Sequence, residues 1–228
     1  MDKSIRGLLI LLAMGLLLVS MVFAATPSGA TVVARDMGRL QPSGAGTVSM
    51  LSGNITNANL STSMSTYRWA GLFGNASGSL RLADLLGVNM YVWAGQARMV
   101  YACLGANPDW TTLQDATGPE IIALAAFSFL TNGSDSYAAT FNGAAENIQS
   151  GIFSTLTSDY ATPMSSNSTP WRTYSLRDGT SNIVFAGKAL PSGRAYNGEV
   201  VDYEMMIPEN GVGNNEASTT WNLFIELV

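Results

Sequence analysis

The chain contains no histidine, and Cys103 is its only cysteine. Without imidazole, the Ser-His-Asp and Cys-His forms of nucleophile activation are excluded, and so are histidine metal sites. A lone cysteine also excludes an internal disulfide and a cysteine-rich zinc site. The enzyme mechanisms that remain rely on carboxylates, as in glycoside hydrolysis. We therefore predict a protein that is not an enzyme, with no catalytic residues, cofactor or metal.

Charged residues are scarce as well. They make up 12% of the chain, against about 25% in typical soluble proteins. The formal net charge of −5 argues against nucleic acid and anionic membranes as partners. Ser, Thr, Asn and Gly take the place of the missing charges, which is typical of secreted, packed or glycosylated surfaces.

The first 24 residues have the composition of a secretory signal peptide. Lys3 and Arg6 precede an uncharged run over residues 8–23, and the small-x-small pattern at Val22-Phe23-Ala24 follows. Cleavage after Ala24 or Ala25 would place the protein outside the cell, at the cell surface. A retained anchor is less favoured, because the apolar run is shorter than the roughly 20 residues of a spanning helix. A third interpretation is a prepilin-type signal that is cut after Gly7 and leaves residues 8–25 as the core helix of a filament.

Residues 25–46 form an arm rich in proline, glycine and serine. The tetrapeptide Pro-Ser-Gly-Ala occurs at residues 27–30 and again at residues 42–45. Between the two copies, Thr31, Val32, Val33 and Ala34 have the composition of a short strand that a neighbouring molecule could accept. A disordered N-terminus is the alternative.

The rest of the chain, residues 47–228, is predicted to be one mainly β domain, an antiparallel β-sandwich of the jelly-roll or Ig-like kind with one short helix. Thr117 and Glu120 have capping-box spacing and begin that helix, near residues 118–128. Alternating patterns predict strands over the remainder, with residues 143–170 left irregular. The strands are expected at residues 60–66, 79–84, 90–93, 98–104, 136–141, 171–176, 182–186, 199–207 and 219–228.

Four groups of residues are candidates for function. Asp202 and Glu204 are expected on one face of a strand, where they could bind a cation or act as acid and base, although the solvated face of an antiparallel strand is the favoured explanation. Trp110 is predicted in a loop and is the best candidate among the five tryptophans for an exposed carbohydrate platform. Cys103 is expected to be buried, with an intermolecular bridge as the alternative. Five glycosylation sequons begin at Asn54, Asn59, Asn75, Asn132 and Asn167.

Several segments resemble a family of archaeal secreted surface proteins. They are residues 67–78, Asn89-Met90-Tyr91-Val92-Trp93, Asp178-Gly179, Tyr196-Asn197-Gly198, Asp202-Tyr203-Glu204-Met205 and Phe224-Ile225-Glu226-Leu227. The resemblance implies a β-sandwich protein of the cell surface or of a filament, with no known catalysis and no catalytic residues.

The leading hypothesis is thus an extracellular structural or adhesive subunit of a filament, pilus or surface layer. Such a subunit associates with itself or with other surface proteins and can carry or bind glycans. The alternatives are a secreted carbohydrate-binding module or carboxylate-dependent glycosidase, and the prepilin-type pilin.

Overall fold

The computed structural model describes residues 26–41, 44–124, 127–148, 151–152, 156–163, 169–209 and 218–228. In this part of the chain the protein is mainly β, and all paired strands run antiparallel, as the sequence predicted. The predicted signal peptide and the alternative core helix, residues 8–25, lie outside the described residues. The strands are β1 (Ser28–Gly29), β2 (Trp69–Gly74), β3 (Ser77–Ala83), β4 (Asn89–Cys103), β5 (Gln114–Asp115), β6 (Gly143–Ile148), β7 (Leu156–Ala161), β8 (Thr173–Arg177), β9 (Ile183–Lys188), β10 (Gly193–Arg194), β11 (Val200–Val201), β12 (Tyr203–Pro208) and β13 (Asn222–Leu227).

The main sheet has the strand order β1-β13-β4-β9-β8-β7-β6, with β3 paired to β4 and β5 paired to β8. Strand β4 alternates across this sheet. Val100 and Ala102 belong to the core on one face, whereas Tyr101 belongs to the core on the other. Both faces of the sheet are therefore buried at these residues of β4. Their side chains form a continuous apolar run, unlike those of a strand with one solvated face.

A second layer covers one face of the sheet. Strands β12 and β2 form a two-stranded ribbon, and the Met206 backbone N–H donates to Thr173 Oγ1 on the main sheet (3.1 Å). A Cβ at Gly187 would meet Met205 at 3.2 Å, which shows how closely β12 approaches β9. The residues buried between the layers include Trp69, Phe141, Phe185, Met205 and Ile207, so the predicted sandwich is a broad sheet covered by a ribbon and helices.

Two α-helices are present in the described residues, where one was predicted. Helix α1 (Gly118–Leu124) begins as expected, because the carboxylate of Glu120 accepts the backbone N–H of Thr117 (2.8 Å). Helix α2 (Tyr137–Thr140) replaces the strand predicted at residues 136–141. Ser136 caps it by accepting the Ala139 N–H (3.3 Å), and this local hydrogen bond decides between helix and strand. Short 3₁₀ segments also lie at Trp110–Thr112 and Ser128–Thr131.

Two other expectations are wrong. Residues 143–170, predicted as irregular, contain β6, which is the edge strand of the sheet, and β7, which pairs with β6 and β8. Residues 60–66, predicted as a strand by their alternation, form none, because no strand in the described part of the chain lies beside them. Leu60 is 93% exposed there.

The C-terminal strand, predicted over residues 219–228, is paired on both sides. β13 bonds along its length to β4 and at Phe224 and Ile225 to β1. Glu226 is fully buried in it and accepts hydrogen bonds from Tyr101 Oη (2.7 Å) and the Gly151 backbone N–H (2.5 Å). These bonds satisfy a carboxylate that would otherwise be costly to bury.

Asp178 organises the tight turn between β8 and β9. Its side chain is fully buried and accepts hydrogen bonds from the backbone N–H groups of Asp109, Thr180 and Asn182, at 2.8–2.9 Å. Burial alone raises the pKa of Asp178, but these bonds and one from the Asn182 side chain outweigh it and hold the pKa at about 2. The turn thus depends on an ionised Asp178.

We predict that Asp178→Asn lowers the free energy of unfolding at pH 6 by about 1–3 kcal/mol, because an amide NH₂ would face donors. An unfolded aspartate titrates near pH 3.9, above the folded pKa of about 2. The stabilisation by Asp178 is therefore complete above pH 4 and lost as the pH falls from about 4 to about 2. Denaturant unfolding of both proteins at pH 6 and pH 2.5 should show a smaller difference at the lower pH. The exposed Asp36→Asn is the control; a difference that does not depend on pH would contradict the role of the carboxylate.

Candidate functional site

Strand β4 extends well beyond the sheet that it helps to form. Its second half, from Ala97 to Cys103, pairs with β13, and Met99 to Cys103 also pair with β9. Its first half, from Asn89 to Gln96, pairs with β3. Residues 77–95 therefore project from the body as a two-stranded hairpin, and both of its outer edges lack a strand partner in the described part of the chain. Unpaired edges of this kind readily accept a further strand.

The hairpin is unusually apolar for an exposed element. Leu82 pairs with Tyr91, and Leu80 pairs with Trp93, which puts these four side chains on one face. We call this set the hairpin stripe. Leu82, Tyr91 and Trp93 are each about half exposed, at 51%, 57% and 48%. The rings of Tyr91 and Trp93 contact each other, with centroids 4.5 Å apart and planes inclined by 44°.

The tip of the hairpin is apolar too. Asp84 shapes the turn by accepting the backbone N–H groups of Leu86 (3.0 Å) and Val88 (2.8 Å). With the backbone fixed in this way, Leu85 and Leu86 are directed into solvent at 106% and 88% exposure. Contiguous apolar surface of this kind usually marks an interaction site.

The root of the hairpin is fixed to the body. The side chain of Leu227 lies over the glycine pair Gly78 and Gly95, where a Cβ would come within 2.6 and 3.0 Å of it. Val228 and Gln96 exchange two backbone hydrogen bonds of 3.0 Å beside this contact. The hairpin is thus a continuation of the main sheet.

The N-terminal arm is the second exposed apolar element. Its start is fixed by β1 and by the Ala30 N–H, which donates to the Leu223 carbonyl (2.8 Å). Further on, Ser65 Oγ donates to the Leu40 carbonyl (3.0 Å), which closes residues 41–64 into a loop that we call the arm loop. This loop contains no charged residue. Its exposed apolar side chains are Val48, Met50, Leu51, Ile55, Leu60 and Met64.

The arm and the hairpin lie at opposite ends of the molecule. The arm leaves beside Leu223, at the end of the sheet where Asn222 pairs with Cys103. The arm rejoins the body at the start of β2, next to Glu209. Glu209 accepts a hydrogen bond from the indole of Trp221, so this junction lies at the same end of the sheet. The hairpin instead begins at Gln96 and Ser77, at the far end of β4.

Thr31, Val32, Val33 and Ala34 form no strand within their own chain, and Val33 is 94% exposed. Their acceptance by a neighbouring molecule stays a prediction. The strand of the arm is β1, at Ser28–Gly29, which pairs with the protein's own β13. The arm is therefore held at its start by β1 and at its end by the start of β2.

The two acids of the predicted pair each make a separate contact with a loop. Asp202 lies in the bend before β12 and accepts the Ala76 N–H (3.1 Å). Glu204 is buried and accepts the Tyr196 N–H (2.8 Å); burial raises its pKa. The alternative prediction, a solvated strand face, is therefore wrong for Glu204. Each of the two acids fixes a neighbouring loop. In the described residues, no group of three Cys, Asp or Glu side chains could hold a metal ion.

Trp110 is not the exposed aromatic. It begins a 3₁₀ turn and packs between Tyr101 and Phe224, with ring centroids 5.1 Å from each. The exposed tryptophan is Trp93, which sequence reasoning assigned to the core because its strand is apolar. The signal that could have revealed it is the apolar turn Leu85-Leu86, since a turn of a folded domain is normally polar.

Four of the five sequons are described, and their asparagines are all exposed. Asn54 follows a turn in the arm loop, Asn59 lies further along it, and Asn75 lies in the connection between β2 and β3. Asn132 follows the second 3₁₀ segment, and its carbonyl accepts a hydrogen bond from Arg68. Asn167 lies outside the described residues.

Cys103 is fully buried as predicted, and burial raises the pKa of its thiol to about 12.

Comparison with known proteins gives no relative: no protein family, curated protein or solved structure matches the chain. None of the described helices has the length and apolar character needed to cross a membrane.

The exposure of Trp93 can be measured by fluorescence. Trp69 and Trp171 are buried and Trp110 and Trp221 are half-buried, so acrylamide should quench mainly Trp93 in the monomer. We predict that Trp93→Phe removes most of the readily quenched emission, whereas Trp171→Phe leaves it in place. Equal quenching of the wild type and Trp93→Phe would show that the hairpin is covered.

Proposed function

We propose that this protein is a non-enzymatic, extracellular structural subunit whose copies assemble into a filament, pilus or layer at the cell surface. The observation that carries the proposal is the projecting hairpin, with its exposed apolar stripe, its apolar tip and two unpaired edges. Monomeric proteins rarely leave such a surface uncovered, and natural sheet edges are normally blocked by charge, proline or a covering element.

The hairpin lacks these protective features. Residues 77–95 contain only one charged residue of each sign, Arg81 and Asp84, and no proline. Asp84 is occupied in the turn. A two-stranded ribbon is also only marginally stable by itself, so covering the hairpin would both bury its apolar side chains and add backbone hydrogen bonds. Both gains favour an assembled state.

The signal-like N-terminus and the exposed sequons support an extracellular location. Neutral polar residues cover much of the surface in place of charges, and this lowers the cost of packing copies side by side, because few ions need to lose their hydration. The resemblance to archaeal secreted surface proteins points to the same role.

We predict that Leu82→Asp prevents assembly and leaves the fold intact, because Leu82 is exposed and a carboxylate at an apolar contact would have to be desolvated. Electron microscopy and sedimentation of purified wild-type protein should show filaments or layers, and the variant should remain monomeric with an unchanged melting temperature. Val200→Asp, at an equally exposed residue on the body (55%), is the matched control. Wild-type protein that stays monomeric at every concentration would refute the proposal.

A carbohydrate-binding module is the second candidate, favoured by the contact between Tyr91 and Trp93. Exposed aromatic rings stack on the apolar faces of sugars. The two ring planes are inclined by 44°, so the rings do not form one flat platform for an extended chain, and each ring could stack on one sugar. The same pair would serve either function, so binding must be measured directly.

If this second function is correct, Trp93→Ala should abolish binding on a glycan array, whereas Asp202→Asn and Glu204→Gln should leave it unchanged. The two acids are occupied by backbone N–H groups elsewhere in the fold. Loss of glycan binding in Glu204→Gln together with a hydrolytic activity would instead favour the glycosidase. A wild-type protein that binds no glycan would remove this candidate.

A further inference from the structure

We infer that assembly is head to tail: residues 47–51 in the arm loop of one copy add as a third strand to an edge of the hairpin of the next copy and widen its stripe with apolar side chains. This inference rests on the proposed function and specifies the contact through which the subunits join. Its basis is that the chain carries two uncovered apolar elements, the arm loop and the hairpin, at opposite ends.

The arrangement at opposite ends favours a repeating contact. An interface between two different surfaces of the same protein leaves one of each surface free at the ends of every oligomer, so the chain of subunits continues to grow unless it closes into a ring. A contact between two hairpins would use the same surface on both copies and would stop at a dimer, leaving both arm loops uncovered.

The two elements match in size and charge. The arm loop has 24 residues and no charge, and the hairpin has 19 residues with one charge of each sign. Typical stable interfaces involve about 20–30 residues on each side. No ion in the arm loop has to be desolvated on docking.

Residues Thr47-Val48-Ser49-Met50-Leu51 are the part of the loop suited to form a strand. Val48 and Met50 alternate with small polar residues and are 55% and 73% exposed. The segment ends at a turn in which the Asn54 N–H donates to the Leu51 carbonyl (3.2 Å), with Gly53 at φ +84°. The sequons at Asn54 and Asn59 lie beyond this turn, so glycans there would flank the docked strand.

Docking within one molecule is disfavoured by reach. The hydrogen bond between Ser65 and Leu40 closes the loop near its base, so 24 residues going out and back extend at most about 40 Å. Residues 47–51 follow Leu40 by 7–11 residues, and the hairpin lies at the far end of β4, whereas a copy placed end to end presents its hairpin directly.

Mixing two variants tests this arrangement. Met50→Asp damages the arm loop and keeps the hairpin; Leu82→Asp damages the hairpin and keeps the arm loop. We expect neither variant to assemble alone, and an equimolar mixture to form dimers that grow no further, because only one intact pair of surfaces is available. Mass photometry distinguishes monomer, dimer and polymer. Ile55→Asp, at a fully exposed residue of the same loop outside residues 47–51, is the matched control and should polymerise normally.

Each other result overturns the inference in a recognisable way. If Met50→Asp polymerises like the wild type while Leu82→Asp does not, the hairpin binds another surface, and the proposed function survives without the arm contact. If neither variant impairs polymerisation, the subunits join elsewhere. If the wild type itself never polymerises, the proposed function fails together with the inference.

Cross-linking separates docking between copies from docking within one. Met50→Cys/Leu82→Cys treated with a short bis-maleimide should give a ladder of covalent multimers. The native Cys103 does not interfere, because it is fully buried and its thiol has a pKa of about 12. A cross-linked monomer as the main product would show that the arm loop covers its own hairpin and would overturn the inference.

Discussion

The backbone pairing of β4 is the interaction on which the rest of the structure depends. Its second half bonds to β13 on one side and β9 on the other, and its side chains supply apolar groups to the cores on both faces of the sheet. Its first half continues without interruption into the hairpin with β3. Fully buried residues such as Tyr101 and half-exposed residues such as Trp93 therefore belong to one strand, which links the core to the exposed surface.

The scarcity of charge shapes the core as well as the surface. The acids that are buried are each satisfied by specific donors: Asp178 by backbone N–H groups of two loops, Glu204 by the Tyr196 N–H, and Glu226 by Tyr101 and Gly151. In these positions an acid fixes a turn or a strand connection. This accounts for carboxylates that in sequence resemble a catalytic or cation-binding pair and in the fold hold loops together.

The wrong expectations share a physical cause with the candidate surface. Leu60, Met64 and Trp93 have the alternation of strand residues that bury one face, and the apolar strand around Trp93 favours its burial. In the folded protein Leu60 and Met64 are 93% and 74% exposed, and Trp93 is half exposed beside Tyr91. An alternating sequence pattern indicates that a side chain is suited to burial in a sheet. It does not indicate whether the surface that buries this side chain belongs to the same chain.

The sequence by itself determined the β-rich class, the capping box of α1, the turn between β8 and β9 and the buried Cys103, because these depend on local spacing or on composition. Only the tertiary structure decided that Trp110 is covered and Trp93 is not, and that the arm and the hairpin lie at opposite ends. Those outcomes depend on contacts between residues far apart in the chain, such as Leu227 on Gly78 and Phe224 on Trp110. Local patterns carry no information about which distant surface arrives to cover a given side chain, and that is what separates the core of this protein from its candidate assembly surface.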